Sequence, residues 1–210
     1  MLKPIVPIFI FSSGETIGAF ESSIDLFIIR ITSGEFSAWN SGSSFDLGKK
    51  WKKDDKKWIK SDKFADTRTP DILFIERCLD LLKPGGRMGI VLPDGILGND
   101  GFESVRQFIL ERSHLVAIID CPVESFLPSV DTKTSLIILK KKLNPQETQT
   151  FDVFMAIAKV CGHDRRGKPL YQRNDNGDIL FDNGKPIIDN DFKMITKRFI
   201  EHVETRNIYN

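Results

Sequence analysis

Residues 81–97, "LLKPGGRMGIVLPDGIL", join the end of one apolar periodicity to the start of another. Upstream, Ile72, Ile75, Leu79 and Leu82 recur at helical spacing, and Leu73 and Phe74 widen the stripe. Lys83-Pro84-Gly85-Gly86 ends that helix, because proline cannot continue it and glycine tolerates positive φ. "MGIVLP" then runs apolar without alternation, as a strand does when helices cover both of its faces. It ends on Pro93-Asp94-Gly95, at the end where open α/β sheets take their ligands. A helix, a buried strand and a loop in this order commit the region to a layered α/β sheet.

The neighbouring segments extend that sheet. Thr69 can cap the first helix, with Pro70 at its first position and Asp71 in its first turn. A second helix is expected from about Phe102 to Arg112, burying Phe102, Val105, Phe108 and Ile109. "LVAIIDC" and "TSLIIL" read as two further strands, and the short loop "PVESFLPSVDTK" between them suggests that the sheet closes with an antiparallel pair. Toward the amino end, "PIVPIFIF" and "IDLFIIRI" suit buried strands, with Ser/Gly-rich loops between and after them. Beyond Lys142 a polar joint, "LNPQETQT", leads to the apolar run "FDVFMAIAKV". Asn176-Gly177 and Asn183-Gly184 then signal hairpins, and an amphipathic helix over about Asp191–Thr205 ends the chain. The expected organisation is an unassigned segment at 1–44, a sheet domain at 45–150, and a small hairpin and helix appendage at 151–210.

Overall charge says nothing about partners, since 30 basic residues balance 29 acidic ones. Local charge is more informative. Between residues 49 and 63, eight lysines (Lys49, Lys50, Lys52, Lys53, Lys56, Lys57, Lys60 and Lys63) face three aspartates, a net charge of +5, with Trp51 and Trp58 among them. This stretch reads as an exposed loop or a loosely held helix. It is either a solvated face or a set of phosphate contacts with aromatic stacking. Arg165, Arg166 and Lys168, in a turn with Asp164, Gly162 and Gly167, form a second basic spot. Cys78, Cys121 and Cys161 are odd in number and widely spaced in apolar segments, as reduced core residues of a cytoplasmic protein would be. His114, His163 and His202 have no Cys, His or Glu at metal-ligand spacing, so no metal site is expected. No Gly-x-Ser-x-Gly nucleophile elbow occurs. "MLKPIVPIFIFSSGE" is too short in its apolar run and too rich in proline for a membrane span, and it lacks a signal-peptide cleavage pattern.

"FIERCLDLLKPGGRMGIVLPDGILGN" followed by "VRQFILERSHLVAIIDCPVESFLPSVDTKTSLIILKKK" resembles the later half of the catalytic domain of N6 adenine-specific DNA methyltransferases. The likeness is to the modification subunits of type I restriction systems and related N-6 DNA methylases. "DLGKKWK" before it and "VFMAIAKVCGHDRRGKPLY" after it resemble segments of the same family in the same order, so the likeness covers roughly residues 45–172. The resemblance implies a partial class I (Rossmann-like) methyltransferase fold, a mixed sheet with a reversed last strand. It implies S-adenosylmethionine as methyl donor and a flipped-out adenine as acceptor, since the exocyclic amine is otherwise paired within the stack. It also places Phe126, in "VESFLP", where the family puts an aromatic that stacks on the flipped base; the alternative is a ring plugging the sheet edge. Pro93 and Asp94 become candidate pocket-wall residues, or a tight turn with Asp94 as a helix cap. Lys49, Lys50, Lys52, Lys53, Lys56, Lys57, Arg165, Arg166 and Lys168 become candidates for the DNA backbone.

The chain departs from the family pattern where catalysis would sit. It has no Asn-Pro-Pro or Asp-Pro-Pro, and no Pro-Pro at all. "FIFSSGETIGAF" has only a superficial likeness to a cofactor loop. The expectation is therefore a truncated or fragmentary methyltransferase that is inactive alone, with no catalytic residue assigned. The alternatives are one half of a split enzyme, or a non-catalytic module that binds DNA or a partner subunit. Expected partners are DNA, and specificity and restriction subunits or the missing half, with no membrane.

Overall fold

The computed structural model describes residues 8–11, 45–66 and 68–209. "IDLFIIRI", both Ser/Gly-rich stretches and the rest of residues 12–44 lie outside the described residues. In chain order the elements are β1 (Ile8–Phe11), β2 (Lys49–Asp54), β3 (Lys57–Phe64), α1 (Pro70–Leu81), β4 (Arg87–Pro93), α2 (Asp94–Gly98) and α3 (Glu103–Arg112). There follow β5 (Ser113–Asp120), β6 (Thr134–Lys141), β7 (Phe154–Ile157), β8 (Phe181–Asp182), β9 (Lys185–Pro186) and α4 (Phe192–Thr205).

The fold is α/β with a mixed five-stranded sheet in the order β1-β4-β6-β5-β7. β1 pairs antiparallel with β4, and β5 pairs parallel with β7. β6 is the reversed strand. Its last residue meets the start of β4, where Lys141 donates to the Gly86 carbonyl at 2.7 Å and accepts from the Gly85 amide at 2.9 Å. The Lys142 amide bonds the Arg112 carbonyl just before β5 at 3.0 Å, and the Cys121 amide just after β5 bonds the Thr134 carbonyl at 3.1 Å. The antiparallel pair expected from the short β5–β6 loop is present, and β6 lies between β4 and β5.

The chain divides into two compact units. The first comprises the described residues through Val116 together with Ile137–Thr150. Its core is the apolar stripe of α1 (Ile72, Ile75, Leu79) against Met88, Ile90 and Leu92 of β4 and Val105 and Phe108 of α3. Each such side chain contributes about 1.5–3 kcal/mol on burial. Thr69 stands at the helix start in extended conformation without a side-chain cap bond, and Pro70 occupies the first turn as expected. At the other end Gly85 takes φ +75, and a Cβ on Gly86 would come within 2.8 Å of the Lys83 carbonyl, so both glycines are required. The Lys141 ammonium donates to the carbonyls of Leu79 and Leu82 at 2.7 Å each, closing the helix C-terminus from another strand. Periodicity along α1 gives no sign of that cap.

The second unit holds Ala117–Leu136 and the described residues from Phe151 onward. Helix α4 buries Ile195, Phe199 and Val203, spaced four apart, and Phe154 of β7 meets Phe199 edge-on at 5.5 Å. Between β7 and α4 the chain forms paired turns with bridges His163–Pro169, Tyr171–Ile188 and Arg173–Ile179. The two hairpin signals have different geometry. Asn183 and Gly184 both take positive φ, +48 and +77, and join β8 to β9 as a two-residue turn. At Asn176-Gly177 only the glycine is left-handed, and the Asn174 carboxamide oxygen accepts the amides of Asn176 and Asp178.

Candidate functional site

The lysine-rich segment is a β-hairpin, neither the loop nor the helix expected from its composition. The reason is one inward-facing tryptophan in each strand, which the charge run hides. Trp51 and Trp58 lie on the inner side, where Trp51 packs edge-on against buried Phe108 at 6.4 Å. Cross-strand partners are Lys53 with Trp58 and Lys52 with Ile59, and Asp55 supplies the positive φ of the tip. The hairpin is fastened to α3: the Trp58 indole N–H donates to Glu103 at 2.9 Å, while the Gln107 carboxamide exchanges two hydrogen bonds with the Trp58 backbone.

That fastening sorts the lysines. Lys53 pairs with Glu103 at 2.7 Å, Lys50 with Asp66 at 3.0 Å, Lys57 with Glu111 at 3.6 Å and Lys60 with Asp46 at 2.5 Å. Lys49, Lys52, Lys56 and Lys63 form no ion pair among the described residues. The Glu103 carboxyl is held below its usual range chiefly by the Lys53 and Trp58 hydrogen bonds.

"FDLG", just before the hairpin, is a fastening point with no evident signal in its composition. The buried Glu76 carboxylate of α1 accepts the backbone amides of Asp46 at 2.8 Å and Leu47 at 2.7 Å. Burial pushes the Glu76 carboxyl up from its ordinary value, against those two amides, which pull it down. Asp46 in turn bridges Lys60 and Arg112, and Arg112 also reaches Asp80 at 3.1 Å and lies over the Phe108 ring at 4.1 Å.

Pro93 is the last residue of β4 and Asp94 the first of α2, in the first turn where a carboxylate complements the helix dipole. Arg106 closes the other end of α2 on the carbonyls of Ile96 and Asn99, both at 2.8 Å. In the second unit, Phe126 is half-buried at the end of the 3-10 turn Val123–Phe126 in the β5–β6 loop. Its carbonyl accepts the Val130 amide at 2.9 Å. Lys133 secures the base of that loop, pairing with Asp120 and donating to the Cys121 carbonyl at 2.7 Å.

Residues 164–168 form a tight turn in the same unit. The Asp164 carboxylate accepts the amides of Arg166 at 2.8 Å and Lys168 at 2.9 Å, and those bonds, Lys168 first, hold its carboxyl below the usual range. The Arg165 guanidinium sits 4.0 Å from Glu124. Among the described residues, no group of three or more His, Cys, Asp or Glu is placed to hold a metal ion, and no helix is long and apolar enough to cross a membrane.

Residues 37–177 match the N-6 DNA Methylase family model. Three solved structures are similar. A protein described as a class I S-adenosylmethionine-dependent methyltransferase from Listeria monocytogenes is 26% identical over 55% of this chain and 31% of its own, with a TM-score of 0.39. A modification subunit assigned to a type I restriction enzyme of Vibrio vulnificus is 18% identical over 56% and 30%, also at 0.39. A chain of a type I restriction-modification system is 24% identical over 71% and 24%, at 0.33. The chain thus spans between 24% and 31% of the length of these structures. A search of curated proteins gives no match.

Proposed function

Because the chain belongs to the N-6 DNA methylase family, we propose that it supplies the later strands of the catalytic domain of an adenine-specific DNA methyltransferase of the type I restriction-modification kind. The observation that carries this reading is the family match across residues 37–177. In this role Phe126 stacks on the flipped base, Pro93 and Asp94 line the wall at the end of β4, and the hairpin lysines touch the phosphate backbone. Specificity and restriction subunits are the partners that fit such a role.

S-adenosylmethionine is the methyl donor the family implies. At the end of β4, Pro93 has no amide N–H to offer it, and Asp94 is built into the first turn of α2. Pro93 and Asp94 by themselves do not supply the amide-rich loop with which the family holds such a cofactor. The chain alone is expected to bind duplex DNA in a salt-dependent way without transferring methyl groups. Calorimetric titration with S-adenosylmethionine and an assay of labelled methyl transfer to DNA check this. Micromolar cofactor binding or methyl transfer would overturn the account of the chain as an incomplete catalytic domain. Absence of salt-dependent DNA binding would overturn the DNA role.

A further inference from the structure

We infer that the Asp164–Lys168 turn is a phosphate grip serving the same nucleic-acid contact as Phe126, holding the strand beside the base that Phe126 stacks on. The inference rests on the DNA methyltransferase reading and adds to it a second recognition element, remote in sequence from the first.

Two contacts bring the segments together. Glu124 faces Arg165 at 4.0 Å, and a Cβ built on Gly167 would lie 3.5 Å from Pro128 Cδ. Glu124 and Pro128 flank Phe126, while Arg165 and Gly167 flank Arg166. The contacts therefore bracket the aromatic in one loop and the arginine in the other. Beside them runs an open groove of about 260 Å³, lined in part by Glu124, Cys161, His163 and Leu170.

Charge assigns the occupant. Asp164 is engaged by the amides of Arg166 and Lys168, and Glu124 has the Arg165 guanidinium 4.0 Å away as a counter-charge. Arg166 and Lys168 are exposed and form no ion pair among the described residues. The turn commits its own anion to backbone amides and leaves two cations facing out. Gly167, at φ +78, sets that shape, since an L side chain is strained there. A guanidinium and an ammonium on a rigid turn suit phosphodiester oxygens, and an aromatic in the loop that this turn approaches suits a base.

The test uses the full chain and a short duplex with one unpaired adenine opposite an abasic site, titrated over a range of salt concentrations. The double variant R166A/K168A should lower the slope of log affinity against log salt by about 1.8, at ~0.9 for each phosphate no longer neutralised. F126A should weaken binding roughly 5- to 150-fold with the slope unchanged. Replacing the phosphate beside the unpaired adenine by a neutral methylphosphonate should weaken the unmodified chain and leave R166A/K168A unaffected. If the unmodified chain binds but R166A/K168A keeps its full slope, or the neutral phosphate weakens both proteins equally, the grip is overturned and the methyltransferase reading stands. If the unmodified chain shows no salt-dependent binding, the grip and the DNA role of the chain both fall. R166Q/K168Q, which keeps side-chain bulk and both turn amides, separates the same outcomes should the alanine variant fold poorly by circular dichroism.

Discussion

At the scale of single residues, Glu76 shows how one buried carboxylate fixes the start of a segment. It is 2% exposed and accepts the amides of Asp46 and Leu47 from thirty and twenty-nine residues away. Removing it leaves two amides without an acceptor, a desolvation penalty larger than the net worth of either bond. Glu76→Ala is expected to cost about 2–4 kcal/mol in urea unfolding. Glu76→Gln, which retains one acceptor, should cost less and alter the pH profile. The folded carboxyl lies above its ordinary value because of burial. Its contribution is therefore fully present below the unfolded value and is lost as pH rises through the folded one. The glutamine variant should lack that loss. A profile identical to the unmodified chain's would show that Glu76 does not set it.

At the scale of elements, the hairpin β2–β3 separates structural from available lysines. Replacing Lys49, Lys52, Lys56 and Lys63 by alanine is expected to reduce the salt slope of DNA binding by up to ~0.9 per residue that touches phosphate, with stability unchanged. Replacing Lys50, Lys53, Lys57 and Lys60 should instead loosen the hairpin, read as faster amide exchange across Trp51 and Trp58. Equal effects of both sets on DNA binding would refute the division. The hairpin is illegible in sequence because Trp51 and Trp58, one in each strand and seven residues apart, set no period of their own among the lysines. Helix α1 and strand β4 are legible for the opposite reason: their apolar residues recur at one period, and Pro84 and Gly85 mark the boundary. What settles the hairpin is contact with α3 through Glu103 and Gln107, some fifty residues away, which no local pattern announces.

For the whole molecule, the three cysteines report on cooperative opening. Cys78 and Cys121 are buried and Cys161 is half-buried, so the expectation of three core thiols holds for two of them. Burial raises the Cys78 thiol to about 12, which removes the reactive thiolate at neutral pH. A thiol reagent at neutral pH should modify Cys161 quickly, and Cys78 and Cys121 only at the rate of unfolding. Fast reaction of all three in the native buffer would contradict the packing described. The sheet as a class is readable from its strands, and the short β5–β6 loop announces the reversed one. The approach of Arg165 to Glu124 and of Gly167 to Pro128 is not readable, since it depends on a turn about forty residues beyond the loop.

The place of β6 sets the order in which the sheet is completed. Residues 87–93 and 113–120 leave the ribosome first, yet they never become neighbours, because the strand between them is made of residues 134–141. Until Thr134 and its successors emerge, the growing chain carries a slot one strand wide with unsatisfied amides and carbonyls on both of its walls. The reversed strand is thus the keystone of the sheet, synthesised after both of the strands it joins.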